Sequence, residues 1–210
     1  MNESILITGA SGLLGRELVK KLVARDFQVL GQYHRHRPPA AANVTWLQAD
    51  FSTLAGIRSF LRKNAALLKR CRFLVNNYGP ITVKETAALT GDDFLSDFQG
   101  NVVVAVEITS FLAERAPLEA VVSVGFAGVG EMKPYKRILS YAAAKNALLL
   151  LTRSWARAYP RIRFHMVSPG TLVGAAVAAR SAPAVPAARV AEKIFRTLLA
   201  PDSGRHFQVR

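Results

Sequence analysis

Tyr141 and Lys145 are the residues of this sequence whose types and spacing most clearly suggest chemistry. They stand four positions apart in an alanine-rich stretch predicted to be helical, so both side chains lie on one helical face. A phenol with a pKa of about 10 is a weak acid or base at neutral pH, and a nearby ammonium favours its phenolate form. The pair predicts proton transfer by Tyr141 assisted by Lys145. The competing interpretation is a buried tyrosine beside a lysine whose stem lies along an interface helix.

A glycine-rich segment follows the first aliphatic run and precedes an amphipathic stretch at residues 13–23. Glycines let the backbone turn tightly and approach a pyrophosphate, whose charge then meets a helix N-terminus. This position favours a dinucleotide site over a tight turn that merely packs helix on strand. The residues expected to contact the cofactor here are Gly9, Ser11, Gly12, Leu13, Leu14 and Gly15.

The end of the second predicted strand carries His34 and Arg35, and no acidic residue lies between Asp26 and Asp50. An NAD site usually places an acid here to bind the ribose hydroxyls, whereas a guanidinium pairs well with the extra phosphate of NADP. The sequence therefore predicts NADP(H) as the cofactor. The competing interpretation is an ordinary basic surface loop.

Short aliphatic runs alternate with helical patterns along the chain. This alternation predicts the α/β class: a Rossmann-type, doubly wound parallel sheet in three α/β/α layers, with one domain over residues 1–210 and a short substrate loop at about 171–188. The strands are expected near residues 4–8, 27–30, 44–47, 73–75, 120–124 and 163–167, with an edge strand at 206–209. The helices are expected near residues 13–23, 55–68, 92–114, 140–159 and 189–199.

The chain is basic, with 28 Lys and Arg against 14 Asp and Glu and a net charge of +14. The basic residues are scattered and do not alternate with aromatics, so nucleic-acid binding is not favoured. Cys71 is the single cysteine, and no cysteine and histidine cluster has zinc spacing, so we expect neither a disulfide nor a metal site. With no signal-peptide or membrane-span pattern, we expect a cytoplasmic protein.

These motifs, in this order, resemble the short-chain dehydrogenase/reductase family over nearly the whole chain. The resemblance implies that Asn101 organises a water linking Lys145 to solvent, and that Lys145 also holds the nicotinamide ribose. It further implies cofactor contacts from the acid after the third strand, the turn after the fourth strand (where Tyr78 replaces the usual Ala), the Tyr-x-x-x-Lys pair and the Pro-Gly after the sixth strand. These residues are Asp50, Phe51, Asn77, Tyr78, Gly79, Tyr141, Lys145, Pro169, Gly170 and Thr171.

Two departures from the family pattern mark the chain as an atypical member. The glycine spacing is that of extended and atypical members, and Gly125 stands where the family has its catalytic serine. Ser123, two residues earlier in the predicted strand, faces the same side of the sheet. Either Ser123 takes the catalytic role in a shifted register, or the site works without that hydroxyl.

The resulting prediction is an NADPH-dependent oxidoreductase that reduces a carbonyl or imine of a small molecule, with Tyr141 as the proton donor. A pterin-like substrate is one of the candidates. The alternative is an NADP(H)-binding sensor or scaffold of the same fold with degraded catalysis. By analogy with the family, we expect a homodimer or homotetramer.

Overall fold

The computed structural model describes residues 3–131, 133–175 and 184–210. Seven parallel strands form one sheet in the order β3-β2-β1-β4-β5-β6-β7. They are β1 (Ser4–Ile7), β2 (Gln28–Tyr33), β3 (Val44–Gln48), β4 (Phe73–Asn76), β5 (Ala120–Val124), β6 (Arg163–Pro169) and β7 (His206–Val209). The predicted Rossmann-type sheet is confirmed, including its edge strand at the C-terminal end.

Helices cover both faces of the sheet because the strands are apolar on both sides. One face packs against α1 and α7, and the other packs against α2, α5 and α6. The helices are α1 (Leu13–Val23), α2 (Leu54–Lys63), α3 (Ala65–Leu68), α4 (Gly91–Phe98), α5 (Val104–Arg115), α6 (Leu139–Ala158) and α7 (Ala187–Leu198). No helix among the described residues is long and apolar enough to cross a membrane.

Three predicted segments differ from the structure. The helix expected at 55–68 breaks at Asn64, whose side chain donates to the Phe60 carbonyl and ends α2. The helix expected at 92–114 contains a π-helical turn, Gln99–Val103, between α4 and α5. The substrate loop expected at about 171–188 ends earlier, because α7 begins at Ala187, and residues 176–183 of that loop lie outside the described residues.

Candidate functional site

The strand order reverses between β1 and β4, and the crevice beyond their carboxyl ends is where open α/β sheets bind ligands. The loop after β1 and the loop after β4 meet there. Gly9 adopts a φ of +63°, a conformation that glycine reaches at no steric cost. A Cβ on Gly15 would overlap with the Gly9 carbonyl oxygen, so this helical glycine allows α1 to sit directly on the loop.

Two buried side chains hold this loop in place. The Oε1 of Gln32 accepts a 2.8 Å hydrogen bond from the Gly9 amide, and its Nε2 donates to the Ala49 carbonyl at 3.0 Å. The hydroxyl of Thr8 accepts from the amides of Asn77 and Tyr78 at 3.0 and 2.9 Å. Asn77 in turn donates to the carbonyls of Thr8 and Gly9. The loops after β1 and β4 are thus fixed to each other, and Gln32 of β2 links the first of them to the start of the loop after β3.

The first turn of α1 offers backbone amides to a ligand. Gly12 is the N-cap residue of α1, and no side chain caps the helix. The helix N-terminus opens onto a cavity of about 390 Å³, which suits an anionic group beside the positive end of the helix dipole. Its lining residues are Gly9, Ser11, Gly12, Leu13, Leu14, Gln32, Tyr33, His34, Asn77, Tyr78, Gly79, Pro80 and Leu172.

A second cavity of about 530 Å³ shares His34 with the first. Three basic residues line it, His34 and Arg35 after β2 and Lys63 at the end of α2. Asp50 lines it too, and its carboxylate lies 3.7 Å from the Nε2 of His34. Hydrogen bonds from Ser52 hold the pKa of Asp50 below its usual value, and the charges of His34 and Arg35 lower it further. The cavity therefore combines a histidine and two cations, Arg35 and Lys63, with one ionised carboxylate.

Tyr141 and Lys145 lie in the first turns of α6, with the ammonium 5.6 Å from the centre of the phenol ring. The Nζ of Lys145 donates to the Val124 carbonyl at 2.7 Å. Burial lowers the pKa of Lys145 to about 7, although the charge of Asp97 opposes this shift. Burial and the same Asp97 charge raise the pKa of Tyr141 above its usual value. The phenol is therefore in its acid form at neutral pH, which suits a proton donor.

Asn101 and Lys145 converge at Gly79. A Cβ on Gly79 would overlap with the Asn101 Oδ1 and lie 2.9 Å from the Lys145 Nζ, so the missing side chain lets both groups approach the loop after β4. The π-helical turn places Asn101 there. Its Nδ2 donates to the carbonyls of Pro80 and Asp97, both at 2.9 Å. Its Oδ1 is buried and has no partner among the described residues.

Asp97 is a fully buried carboxylate beside the tyrosine. Its Oδ2 accepts a 2.6 Å hydrogen bond from the Ser140 hydroxyl, and its Oδ1 accepts from the Thr82 amide at 3.1 Å. Ser140 precedes Tyr141 in the first turn of α6, so this anion lies at the positive end of the helix dipole. The charge of Asp97 adds to burial in keeping the phenol of Tyr141 protonated.

Gly125 follows β5 directly and has no side chain to present. A Cβ on it would overlap with the Ser168 Oγ, so the hydroxyl of Ser168 fills the space beside it. Ser123 lies one pleat deeper, opposite Asn76 and Met166 in the sheet. Its hydroxyl is buried without a partner among the described residues.

The remaining predicted cofactor residues occupy different environments. Phe51 is buried in the core against Phe60 and Tyr78, so its ring is not free to contact a ligand. Pro169 ends β6, and the amide of Gly170 donates to the Val209 carbonyl. Thr171 accepts a hydrogen bond from the Val185 amide, across the loop that follows β6. Within the described ranges, no group of three or more His, Cys, Asp or Glu residues could hold a metal ion.

Gln32, Lys63, Asp97 and Ser168 did not stand out in the sequence. Gln32 lies inside a strand pattern, and Lys63 lies in the basic last turn of a helix, where a cation is expected in any case. The one signal for Asp97 is its position as an acidic residue on a helix face that is otherwise apolar. Acidic residues are seldom buried without a partner, so this position could have indicated a role.

The sequence profile described as "short chain dehydrogenase" matches residues 3–184. No curated protein matches the chain significantly. Among solved structures, a short-chain dehydrogenase/reductase from Serratia marcescens is 22% identical with a TM-score of 0.82, covering 99% of this chain and 95% of that one. A short-chain dehydrogenase from Leptospira borgpetersenii with bound NAD+ is 18% identical with a TM-score of 0.85, covering 100% and 91%. An NADH-dependent reductase complexed with NAD is 18% identical with a TM-score of 0.84, covering 99% and 95%.

Proposed function

Because this chain belongs to the short-chain dehydrogenase family, a family of oxidoreductases, we propose that it is an NADPH-dependent reductase of a carbonyl or imine in a small molecule. The observation that carries the proposal is the pairing of the partly buried Tyr141 with the buried Lys145, beside the crevice at the carboxyl ends of β1 and β4. A bound NADPH would supply the hydride. Tyr141 would give its phenol proton to the substrate oxygen or nitrogen.

The fit of the chain to a dinucleotide rests on its loops and cavities. The uncapped start of α1 would bind the pyrophosphate, and Gly9 keeps the backbone free of a Cβ there. Lys145 would hold the nicotinamide ribose, since its ammonium is close to the loop that carries Gly79. The adenosine half would extend past His34 toward the cavity that contains Asp50.

The preference for NADP(H) is supported by the charges around this second cavity. His34, Arg35 and Lys63 converge there, and Asp50 is the only acid among the residues that line it. A 2′-phosphate would gain charge-assisted hydrogen bonds from Arg35 and Lys63. Two of the similar structures contain NAD, so the proposed preference rests on this chain's own residues around the second cavity and not on the fold.

The test has two parts, cofactor binding and turnover. NADPH and NADH are titrated while cofactor fluorescence is followed, and the protein is then assayed with 9,10-phenanthrenequinone, diacetyl and 7,8-dihydrobiopterin. Tyr141→Phe should bind NADPH like the wild type but lose about 10²- to 10⁴-fold in turnover. NADPH binding without turnover of any of these compounds would instead favour the sensor or scaffold, an alternative supported by the lack of a side chain at Gly125.

The homo-oligomeric assembly and the cytoplasmic location of the protein stay predictions. Leu95 on α4 and Leu150 on α6 expose 70% and 68% of their surface, and their contact between copies would bury it. We expect a homodimer or homotetramer, which light scattering after gel filtration would measure. A monomer at micromolar concentration would contradict this expectation.

A further inference from the structure

Gly125 stands between the two residues that touch the proton-transfer pair. The carbonyl of Val124 accepts the hydrogen bond from the Lys145 ammonium, and the ring of Phe126 packs against the ring of Tyr141 at 5.4 Å between centroids. A side chain that fills the space beside Gly125 is therefore close to Tyr141 and Lys145. A carbonyl under reduction develops negative charge on its oxygen, and a fixed hydrogen-bond donor at that point would stabilise it.

The neighbouring strand fills this space with a hydroxyl. In the sheet, Val124 of β5 lies opposite Val167 of β6, so Gly125 and Ser168 are the next pair toward the carboxyl edge. Side chains alternate along strands, and both residues face the side of Met166, which packs in the same core cluster as Leu148 of α6. The Ser168 Oγ therefore lies on the Tyr141 side of the sheet, where a Cβ of residue 125 would otherwise be.

A histidine holds this hydroxyl from the far side. The Nε2 of His206 on β7 lies 2.8 Å from the Ser168 Oγ. Burial lowers the pKa of His206, and the charge of Arg153 lowers it further, so the imidazole is neutral at pH 7. If its Nε2 carries the proton, His206 donates to Ser168 and leaves the serine proton free for another acceptor. Ser168 is fully buried, as are Asn101 and Lys145 of the same centre.

We propose that Ser168, oriented by His206, supplies from β6 the hydroxyl that polarises the substrate oxygen beside Tyr141. Ser168 would be a catalytic residue and His206 a positioning residue. The inference rests on the proposed reductase function. The inference favours Ser168 over Ser123, because Ser123 pairs with Met166, two residues farther from the carboxyl edge of the sheet than Ser168.

The experiment moves the hydroxyl from one strand to the other. With the compound that the wild type reduces fastest among phenanthrenequinone, diacetyl and dihydrobiopterin, Ser168→Ala should lower kcat by about 10- to 100-fold and leave NADPH binding unchanged. The double variant Gly125→Ser with Ser168→Ala removes the overlap with the Ser168 Oγ and places a hydroxyl on residue 125. The flexible side chain of Met166, whose sulfur lies 2.9 Å from that Cβ, has to shift slightly. The double variant should recover most of the lost kcat, because a hydroxyl then stands again beside Tyr141. His206→Phe should lower kcat in the same direction as Ser168→Ala.

Failure of the proposed role of Ser168 can be told apart from failure of the proposed function. A wild-type protein that reduces none of the compounds contradicts the proposed function, and the role of Ser168 falls with it. Turnover by the wild type with an unchanged kcat in Ser168→Ala overturns the role of Ser168 alone. That role is also overturned if Ser123→Ala lowers kcat more than Ser168→Ala does, or if the double variant is no better than Ser168→Ala while remaining folded.

Discussion

The hydroxyl of Ser140 donates a 2.6 Å hydrogen bond to the buried carboxylate of Asp97. This contact ties the helix before the π-helical turn to the first turn of α6, one residue before Tyr141. An ionised carboxylate is costly to bury, and here two hydrogen bonds and the helix dipole offset the cost. The resulting negative charge acts on both Tyr141 and Lys145.

The first prediction concerns the direction of the reaction and pH. Burial and Asp97 raise the pKa of Tyr141, so the phenol keeps its proton at neutral pH. Reduction uses that proton, whereas oxidation of the alcohol product needs the phenolate. We expect the rate of oxidation to rise about tenfold per pH unit above neutrality, and the rate of reduction not to rise. Steady-state rates in both directions across the pH range test this, and an oxidation rate independent of pH would contradict it.

A second prediction isolates the charge of Asp97. Asp97→Asn removes a negative charge that favours the protonated forms of both Tyr141 and Lys145, so the pair should lose its proton at lower pH. The pH profile of the oxidation rate should shift by about one unit toward lower pH. Ser140→Ala is the matched control, because it removes the hydrogen bond but keeps the carboxylate. If both variants shift the profile equally, the effect belongs to packing and not to charge.

The third prediction tests cofactor choice. Arg35→Ala should weaken NADPH binding by about tenfold or more and leave NADH nearly unchanged, because only the 2′-phosphate needs the guanidinium. Lys63→Ala should act in the same direction, since Lys63 lines the same cavity. Arg37→Ala is a suitable control, because Arg37 is exposed and does not line that cavity. Dissociation constants from fluorescence titration decide the matter, and equal losses for both cofactors would exclude the assigned phosphate site.

A fourth prediction concerns the glycine-rich loop. Gly15→Ala places a Cβ onto the Gly9 carbonyl and Ala10, so α1 must shift away from the loop. We expect a lower melting temperature and weaker binding of both NADPH and NADH. Gly91→Ala serves as the comparison, because a Cβ there meets no atom within 4 Å. Thermal unfolding should give a clearly lower melting temperature for Gly15→Ala than for Gly91→Ala. Equal melting temperatures would show that the loop tolerates a shift of α1.

The sequence determined the sheet, most of its helices and the order of the motifs. These follow from local patterns: aliphatic runs that are buried on both sides, glycines between a strand and a helix, and two polar residues four positions apart. His34 and Arg35 could be placed at the end of a strand for the same reason. The π-helical turn at Gln99–Val103 and the break at Asn64 could not, because a periodic pattern does not record one residue's change in hydrogen bonding.

Only the tertiary structure decided which distant residues meet at the site. Asp97 and Ser140 are 43 positions apart, and Ser168 reaches Gly125 because parallel strands β5 and β6 are in a definite register. Such contacts depend on how helices and strands pack, and no spacing in the chain encodes them. From the sequence, Tyr141 and Lys145 could be predicted as a pair for proton transfer. The fold determined the charge beside the pair and the hydroxyl that lies next to Gly125.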